Sequence, residues 1–230
     1  MPGRTLAIGD IHGCDFALET VLSTVAPTSE DTLVVLGDVI DRGGGSKQVL
    51  DQLLALSKTT RVIFIRGNHE EMMLEAQYDR QWREGWLRYG GSNTLFSYGG
   101  RLDDVPDAHW EFLRSSINYH QTATTLFLHA NFEPNVELDQ QTAQWLRWNH
   151  LSGLETPLPT GQRVICGHTP QKSGVPLVLP GWVGIDTYAC GSNGWLTILD
   201  VEADRVYQAN ERKQTRDYRL NDSPAAPPKT

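Results

Sequence analysis

Three times in its first seventy residues the chain repeats one unit: a short apolar run, a glycine followed by aspartate or asparagine, and an amphipathic stretch. Residues 6–8 lead into Gly9-Asp10, residues 32–36 into Gly37-Asp38, and residues 62–65 through Arg66 into Gly67-Asn68. Between them, residues 16–25 and 46–56 place apolar side chains at helical spacing: Phe16, Leu18, Val21, Leu22 and Val25, then Val49, Leu50, Leu53 and Leu54. The pattern predicts βαβαβ, hence parallel strands joined by right-handed crossovers. Polar groups at the carboxyl ends of such strands converge on one crevice. All three Gly-Asp/Asn corners fall at such ends.

Further along, residues 69–117 read as mostly helical, with Gly90-Gly91 and Gly99-Gly100 as breaks. Apolar runs at 125–128, 163–166, 182–185, 195–201 and 205–208 read as strands. At ~150 residues per domain, 230 residues fit one domain, expected over 1–220. Residues 221–230 are poor in apolar side chains and rich in proline, and are expected to form a disordered tail. A net charge of −8 opposes a broad phosphate-backbone surface, so no nucleic-acid partner is expected. No apolar run nears the ~20 residues that span a bilayer, and the first residues hold no signal-peptide core. A cytoplasmic protein with no membrane partner is expected. The three cysteines, Cys14, Cys166 and Cys190, form no CxxC pair, which argues against a disulfide framework or a cysteine zinc site.

The corners carry the chemistry. Asp10 and His12 lie in Gly9-Asp10-Ile11-His12-Gly13; Asp38, Asp41 and Arg42 in Gly37-Asp38-Val39-Ile40-Asp41-Arg42-Gly43; Asn68, His69 and Glu70 follow Gly67. His129 follows the run at 125–128, and His168 sits in Gly167-His168-Thr169-Pro170. Carboxylate, amide and imidazole donors suit Mn, Fe and Zn, and there are enough for two adjacent ions. A lone Gly-Asp after a strand is usually just a turn, and a lone histidine is usually a core residue. Five such corners on one chain are poorly explained that way. Two other patterns fail: Gly43-Gly44-Gly45-Ser46-Lys47 lacks the Gly-Lys-Ser/Thr order of a phosphate loop, and His69-Glu70-Glu71-Met72-Met73 lacks the second histidine of HExxH. His109, His120 and His150 have no motif context and read as structural. The tryptophan-rich stretch 82–86 reads as core or lid packing rather than a base-stacking platform.

The motifs GDxHG, GDxxDRG and GNHE, with 28 residues from Asp10 to Asp38 and 30 from Asp38 to Asn68, resemble those of metallophosphoesterases. They are most similar to the phosphoprotein phosphatase branch, among its small bacterial and phage members, over most of the chain to about Val201. The resemblance implies an α/β fold of two mixed β-sheets in a sandwich flanked by helices. It implies one metal held by Asp10, His12 and Asp38 and a second by Asp38, Asn68, His129 and His168, with a bridging water as nucleophile. Mn is the expected metal, with Fe or Zn as alternatives. His69 would be the general acid, oriented by Asp41, and Glu70 would support the His69 loop. Arg42, Asn68 and, from Trp145-Leu146-Arg147, Arg147 would contact the substrate phosphate. Two stretches depart from the pattern: Asn131, where the family often has glycine after the late metal histidine, and the loop from Tyr188 to Gly191, similar to a toxin-contacting loop of eukaryotic members.

The resemblance implies a phosphomonoester hydrolase acting on phosphorylated serine or threonine in proteins. Asp41 and the Glu70 of GNHE favour that branch, since the resemblance implies that dinucleoside polyphosphate hydrolases tend to lack the former and read GNHD. The rival enzyme reading is a symmetrical dinucleoside polyphosphate (diadenosine tetraphosphate) hydrolase. The rival from another class is a catalytically silent metal-binding interaction module, which would have no use for His69 and Asp41.

Overall fold

A computed structural model describes residues 3–222 and 224. Most of the tail expected over 221–230 lies outside the described residues. The three units form as expected: β1 (Thr5–Ile8), α1 (Asp15–Val25), β2 (Thr32–Val35), α2 (Ser46–Leu56) and β3 (Arg61–Phe64), with β1–β2 and β2–β3 parallel. Helix α1 buries Ala17, Leu18, Val21 and Val25 on one face and ends where Ala26 turns left-handed, its N–H bonding the Leu22 carbonyl. Between β3 and the second sheet lie α3 (Asn68–Glu75), α4 (Arg80–Trp86), α5 (Ser92–Ser97) and α6 (Asp107–Arg114). A kinked turn at Leu87–Gly91 joins α4 to α5.

The second sheet holds β4 (Tyr119–Gln121), β5 (Thr125–Leu128), β6 (Arg163–Cys166), β7 (Leu177–Leu179) and β8 (Trp182–Gly184) in the order β4-β5-β6-β8-β7. Short helix α7 (Ala143–Trp148) interrupts the long β5–β6 connection. The chain then returns to the first sheet through β9 (Leu196–Asp200), β10 (Arg205–Ala209) and β11 (Thr215–Arg219), giving the order β11-β10-β9-β1-β2-β3. Both sheets are mixed, since β9 runs antiparallel to β1 and β4 antiparallel to β5. The sequence reading missed β4, β7 and β11. Two are three residues long, too short to show a period, and β11 alternates exposed and half-buried positions with few apolar side chains.

Apolar burial divides into three layers. Ala7, Val34, Ile65, Phe127, Ile165 and Leu199 pack between the two sheets. The outer face of the first sheet is covered by the helices, through residues such as Leu18, Leu50, Met73 and Trp86. The outer face of the second rests on Leu151 and Trp182. This is the expected α/β sandwich flanked by helices. The carboxyl ends of β1, β2, β3, β5 and β6 point to one edge of it.

Candidate metal centre

At that edge the corners interlock through their backbones. The Ile11 and His12 N–H groups both donate to the Asp38 carbonyl, at 3.0 and 2.8 Å, and Gly43 N–H donates to the His12 carbonyl. Gly37 makes the packing possible. It sits at φ +104°, and a Cβ there would lie 2.7 Å from both the Gly67 nitrogen and the His129 Nδ1. Six of the ten non-glycine residues with positive φ among the described residues belong to this region: His12, Asp38, Asp41, Arg42, His168 and Tyr188. Strain of that kind persists only where surrounding contacts over-determine it, and it concentrates at functional sites.

The side chains converge on Asp38. Its Oδ2 lies 3.6 Å from His12 Nε2 and 3.9 Å from His69 Nε2, and its Oδ1 lies 3.4 Å from His129 Nε2. Two ligand groups share it, His12–Asp38–His69 and Asp38–His129–His168, each with donor atoms within 4.8 Å of one another. Asn68 Oδ1 is 3.2 Å from His129 Nε2. Asp10 is held on the other side, where the His168 backbone N–H donates to both of its oxygens at 3.1 Å. The structure therefore gathers Asp10, His12, Asp38, Asn68, His129 and His168 into one cluster.

Each candidate histidine ligand is anchored by its second nitrogen. His12 Nδ1 faces the Ile40 carbonyl at 3.0 Å, His129 Nδ1 the Leu36 carbonyl at 2.7 Å, and His168 Nε2 the Trp148 carbonyl at 3.1 Å. A carbonyl accepts only, so those nitrogens carry the proton and the opposite lone pairs face the cluster. Burial keeps all three rings neutral: it pushes His12 and His129 down, and with the neighbouring His129 takes His168 to about 3. Neutral imidazole is the ligating form.

The carboxylates crowd one another. Burial, then the neighbouring Asp186 and Asp38, raise Asp10 well above the carboxylate range. Burial takes Asp186 to about 7. Asp38 goes the other way: burial opposes its charge, but any positive charge taken up by the His129, His69 and His12 rings lowers it overall. Among the described residues Arg42 is the guanidinium that reaches in, with Nη1 2.9 Å from His12 Nε2 and Nη2 3.2 Å from His69 Nε2. Buried carboxylates and neutral imidazoles with so little countercharge are a donor set suited to divalent cations.

His69 and Asp41 form a separate arm. His69 Nδ1 lies 2.7 Å from Asp41 Oδ2, both side chains being buried. Burial depresses the His69 imidazolium, but Asp38 and Asp41 outweigh it and raise His69 overall. Asp41 is itself pinned by the Trp86 indole N–H, at 2.8 and 3.0 Å, and by the Thr94 hydroxyl at 2.6 Å. Nothing in the sequence pattern around Trp86 announces this bond. Glu70 accepts the backbone N–H groups of Asp38, Val39 and Gly67 at 2.8–2.9 Å and so ties the second corner to the third. Burial and Asp38 push it up to about 7. Three N–H donors leave its oxygens no acceptor for a proton, so it is the carboxylate that fits there.

Other expected residues are placed differently. The Arg147 guanidinium is committed to Glu71 at 2.6 Å and Asn118 at 2.5 Å. Asn131 is buried and caps its own loop, its Oδ1 accepting the Phe132 N–H. Tyr188 lies against Gly191, and its N–H donates to Asp186. Two neighbours escaped the sequence reading. Asp186 stands beside Asp10, and His150 stacks on His168 with centroids 4.5 Å apart. A signal for Asp186 existed in its place just after the apolar run at 182–185. An open groove of about 1390 Å³ begins at His150 and Asn131 and runs past Phe132 and Trp182.

Sandwich, corners and shared aspartate together define a metal-dependent phosphoesterase. Residues 3–201 match the calcineurin-like phosphoesterase family, and the chain belongs to it. It is a metallophosphoesterase hydrolase, of a family that uses a divalent metal centre. Over 123 residues it is 43% identical to the symmetrical bis(5'-nucleosyl)-tetraphosphatase of Acidovorax ebreus, covering 41% of this chain and 43% of that protein. The chain thus spans less than half the length of that relative. A crystal structure of a candidate diadenosine tetraphosphatase superposes with a TM-score of 0.65 at 19% identity, over 95% of this chain and 94% of that one. The cold-active protein-tyrosine phosphatase of a psychrophilic Shewanella gives 0.67 at 18% identity, over 94% and 80%. At these identities the superpositions speak for the fold.

The curated relatives overturn the expected phosphoprotein substrate and phosphomonoester class, because a tetraphosphatase cleaves a phosphoanhydride. The physical reason is visible in the two residues on which that expectation rested. Glu70 ties backbone corners together, and Asp41, locked to Trp86 and Thr94, reaches a leaving group only through His69, so neither distinguishes a serine from a nucleotide. Among the described residues no helix is long and apolar enough to cross a membrane.

Proposed function

We propose that this chain hydrolyses dinucleoside polyphosphates, splitting a dinucleoside tetraphosphate symmetrically into two nucleoside diphosphates. The observation that carries the reading is the 43% identity to a symmetrical bis(5'-nucleosyl)-tetraphosphatase, supported by two candidate ligand groups that share Asp38. Asp10, His12 and Asp38 would hold one ion, and Asp38, Asn68, His129 and His168 the other, with Asp38 shared. Divalent ions bound there acidify a water and neutralise phosphoryl oxygens. Oxygen and imidazole donors suit Mn, Fe or Zn.

The chain's own groups do the rest. Arg42 has no carboxylate partner among the described residues and points between His12 and His69, so its fork is free to take two phosphoryl oxygens. His69 Nε2 lies beside that fork and delivers a proton to the departing bridging oxygen. Asp41 holds the proton on His69 Nδ1, which keeps Nε2 directed at the substrate. A phosphate contact from Arg147 requires it to part from Glu71, which makes Arg42 the principal clamp.

The test is product analysis. With Mn²⁺ supplied, diadenosine tetraphosphate should give ADP alone on anion-exchange chromatography, with kcat/KM above that for p-nitrophenyl phosphate or a phosphopeptide. ATP plus AMP as products, or a preference for the phosphopeptide, overturns the reading.

A further inference from the structure

The tryptophan-rich segment does not pack as one unit. Trp86 is fully buried, whereas Trp82 is 39% and Tyr89 60% exposed. The exposed pair face a cleft of about 310 Å³ closed by Met72, Trp86 and Trp148, with Gln81 at its rim. Three of its walls are each tied to a different group of the metal centre. The Trp86 indole donates to Asp41. The Trp148 carbonyl faces His168 Nε2. Tyr89 precedes Gly90, whose carbonyl accepts the Arg42 N–H. The lining also includes one acid, Asp79, and, among the described residues, no arginine; nearby, Arg80 pairs with Glu84 and Arg83 donates to the Ala76 carbonyl.

We propose that this cleft holds one nucleoside base of the substrate, stacked on Trp82 and Tyr89. The proposal rests on the dinucleoside polyphosphate reading above and adds to it a specificity site. Several aromatic faces around a small volume suit a flat ring, and stacking is tolerant of base identity because every base has a π-face. The glycine at 85 leaves one wall without a side chain, so a ring can approach the backbone there. Trp86 and Tyr89 tie the cleft to Asp41 and to the backbone of Arg42. The base therefore sits on the His69 and Arg42 side of the cleaved bond, one indole away from Asp41. The expectation of core or lid packing over residues 82–86 fits the buried Trp86, and the proposal departs from it at Trp82.

The experiment compares diadenosine tetraphosphate with inorganic tetraphosphate, the same phosphate chain without bases, on wild type, Trp82→Ala, Tyr89→Ala and Phe132→Ala. In the first two variants the ratio of kcat/KM for the dinucleotide to that for the inorganic chain should fall roughly ten- to hundredfold. Trp82→Phe and Tyr89→Phe, which keep a ring, should restore most of it. Calorimetry of the Mn²⁺-loaded protein should show ADP binding more tightly than pyrophosphate, with the advantage lost in Trp82→Ala. An unchanged ratio, or a loss confined to Phe132→Ala in the larger groove, overturns the base cleft while leaving the proposed reaction standing. Wild-type protein that cleaves p-nitrophenyl phosphate but neither tetraphosphate refutes the reaction, and the cleft as a substrate site with it.

Discussion

Trp86→Phe removes one hydrogen-bond donor from the site's support while leaving every candidate ligand untouched. In the native structure the buried indole donates to both oxygens of Asp41, at 3.0 and 2.8 Å. A hydrogen bond to a charged group contributes about 1.5–3 kcal/mol. The lost part of the indole adds roughly 1 kcal/mol, well below the ~3–5 kcal/mol of a full truncation to alanine. Trp86→Phe should therefore lose about 2–4 kcal/mol of a stability that is typically 5–15 kcal/mol. With a urea slope of roughly 2–3 kcal/mol per molar, the midpoint should fall by about 1 M. Trp82→Phe is the control, because that indole is 39% exposed and makes no hydrogen bond among the described residues. It should shift the midpoint by less than about 0.3 M. Activity adds a second reading: with Asp41 less firmly held, His69 is less well aimed, and kcat should drop on the order of tenfold with metal content unchanged. Urea unfolding followed by circular dichroism decides it. Equal midpoints for the two variants would refute the role given to the indole N–H.

Gly37→Ala should cost about 2 kcal/mol or more and weaken metal binding, since a Cβ at φ +104° would meet His129 Nδ1 and the Gly67 nitrogen at 2.7 Å. Gly44→Ala, with nothing within 4 Å, should be near neutral in the same thermal melts. Glu70→Gln should destabilise by about 1–3 kcal/mol, because an amide group must face one of the three backbone N–H donors that the carboxylate accepts; a melting temperature equal to wild type would contradict this. Away from the site, Arg4 hydrogen-bonds Asp31 at 2.7 Å and, with Thr28, holds its pKa below the unfolded value. That stabilisation is complete above the unfolded pKa of about 4 and is lost as pH falls through the lower folded value. The gap in melting temperature between wild type and Asp31→Asn should thus be widest near neutrality and shrink below about pH 4.

The corners were legible because their residues must be what they are. Each polar side chain follows a buried strand, and a glycine beside it allows the close approach, as the contact that a Cβ at 167 would make with Asp10 at 2.1 Å shows. Partners that lie far apart in sequence left no trace. Nothing in the chain announces that Trp86 bonds Asp41 across 45 residues, or that His150 stacks on His168. The edge strands β4 and β7 escaped because three residues are too few to show a period. Substrate choice failed for a different reason. The reading relied on Asp41 and Glu70, and in the fold Glu70 holds two corners together while Asp41 positions His69, roles that suit any departing oxygen.

Metal content speaks most directly to the central claim, that the corners of two sheets form one centre in which Asp38 is shared. After stripping and reconstitution with Mn²⁺, wild type should retain two ions per chain by plasma mass spectrometry. Asp38→Asn should retain one or none with its circular dichroism unchanged, because the lost charge belongs to both ligand groups. Two tightly held ions in Asp38→Asn would contradict the shared aspartate.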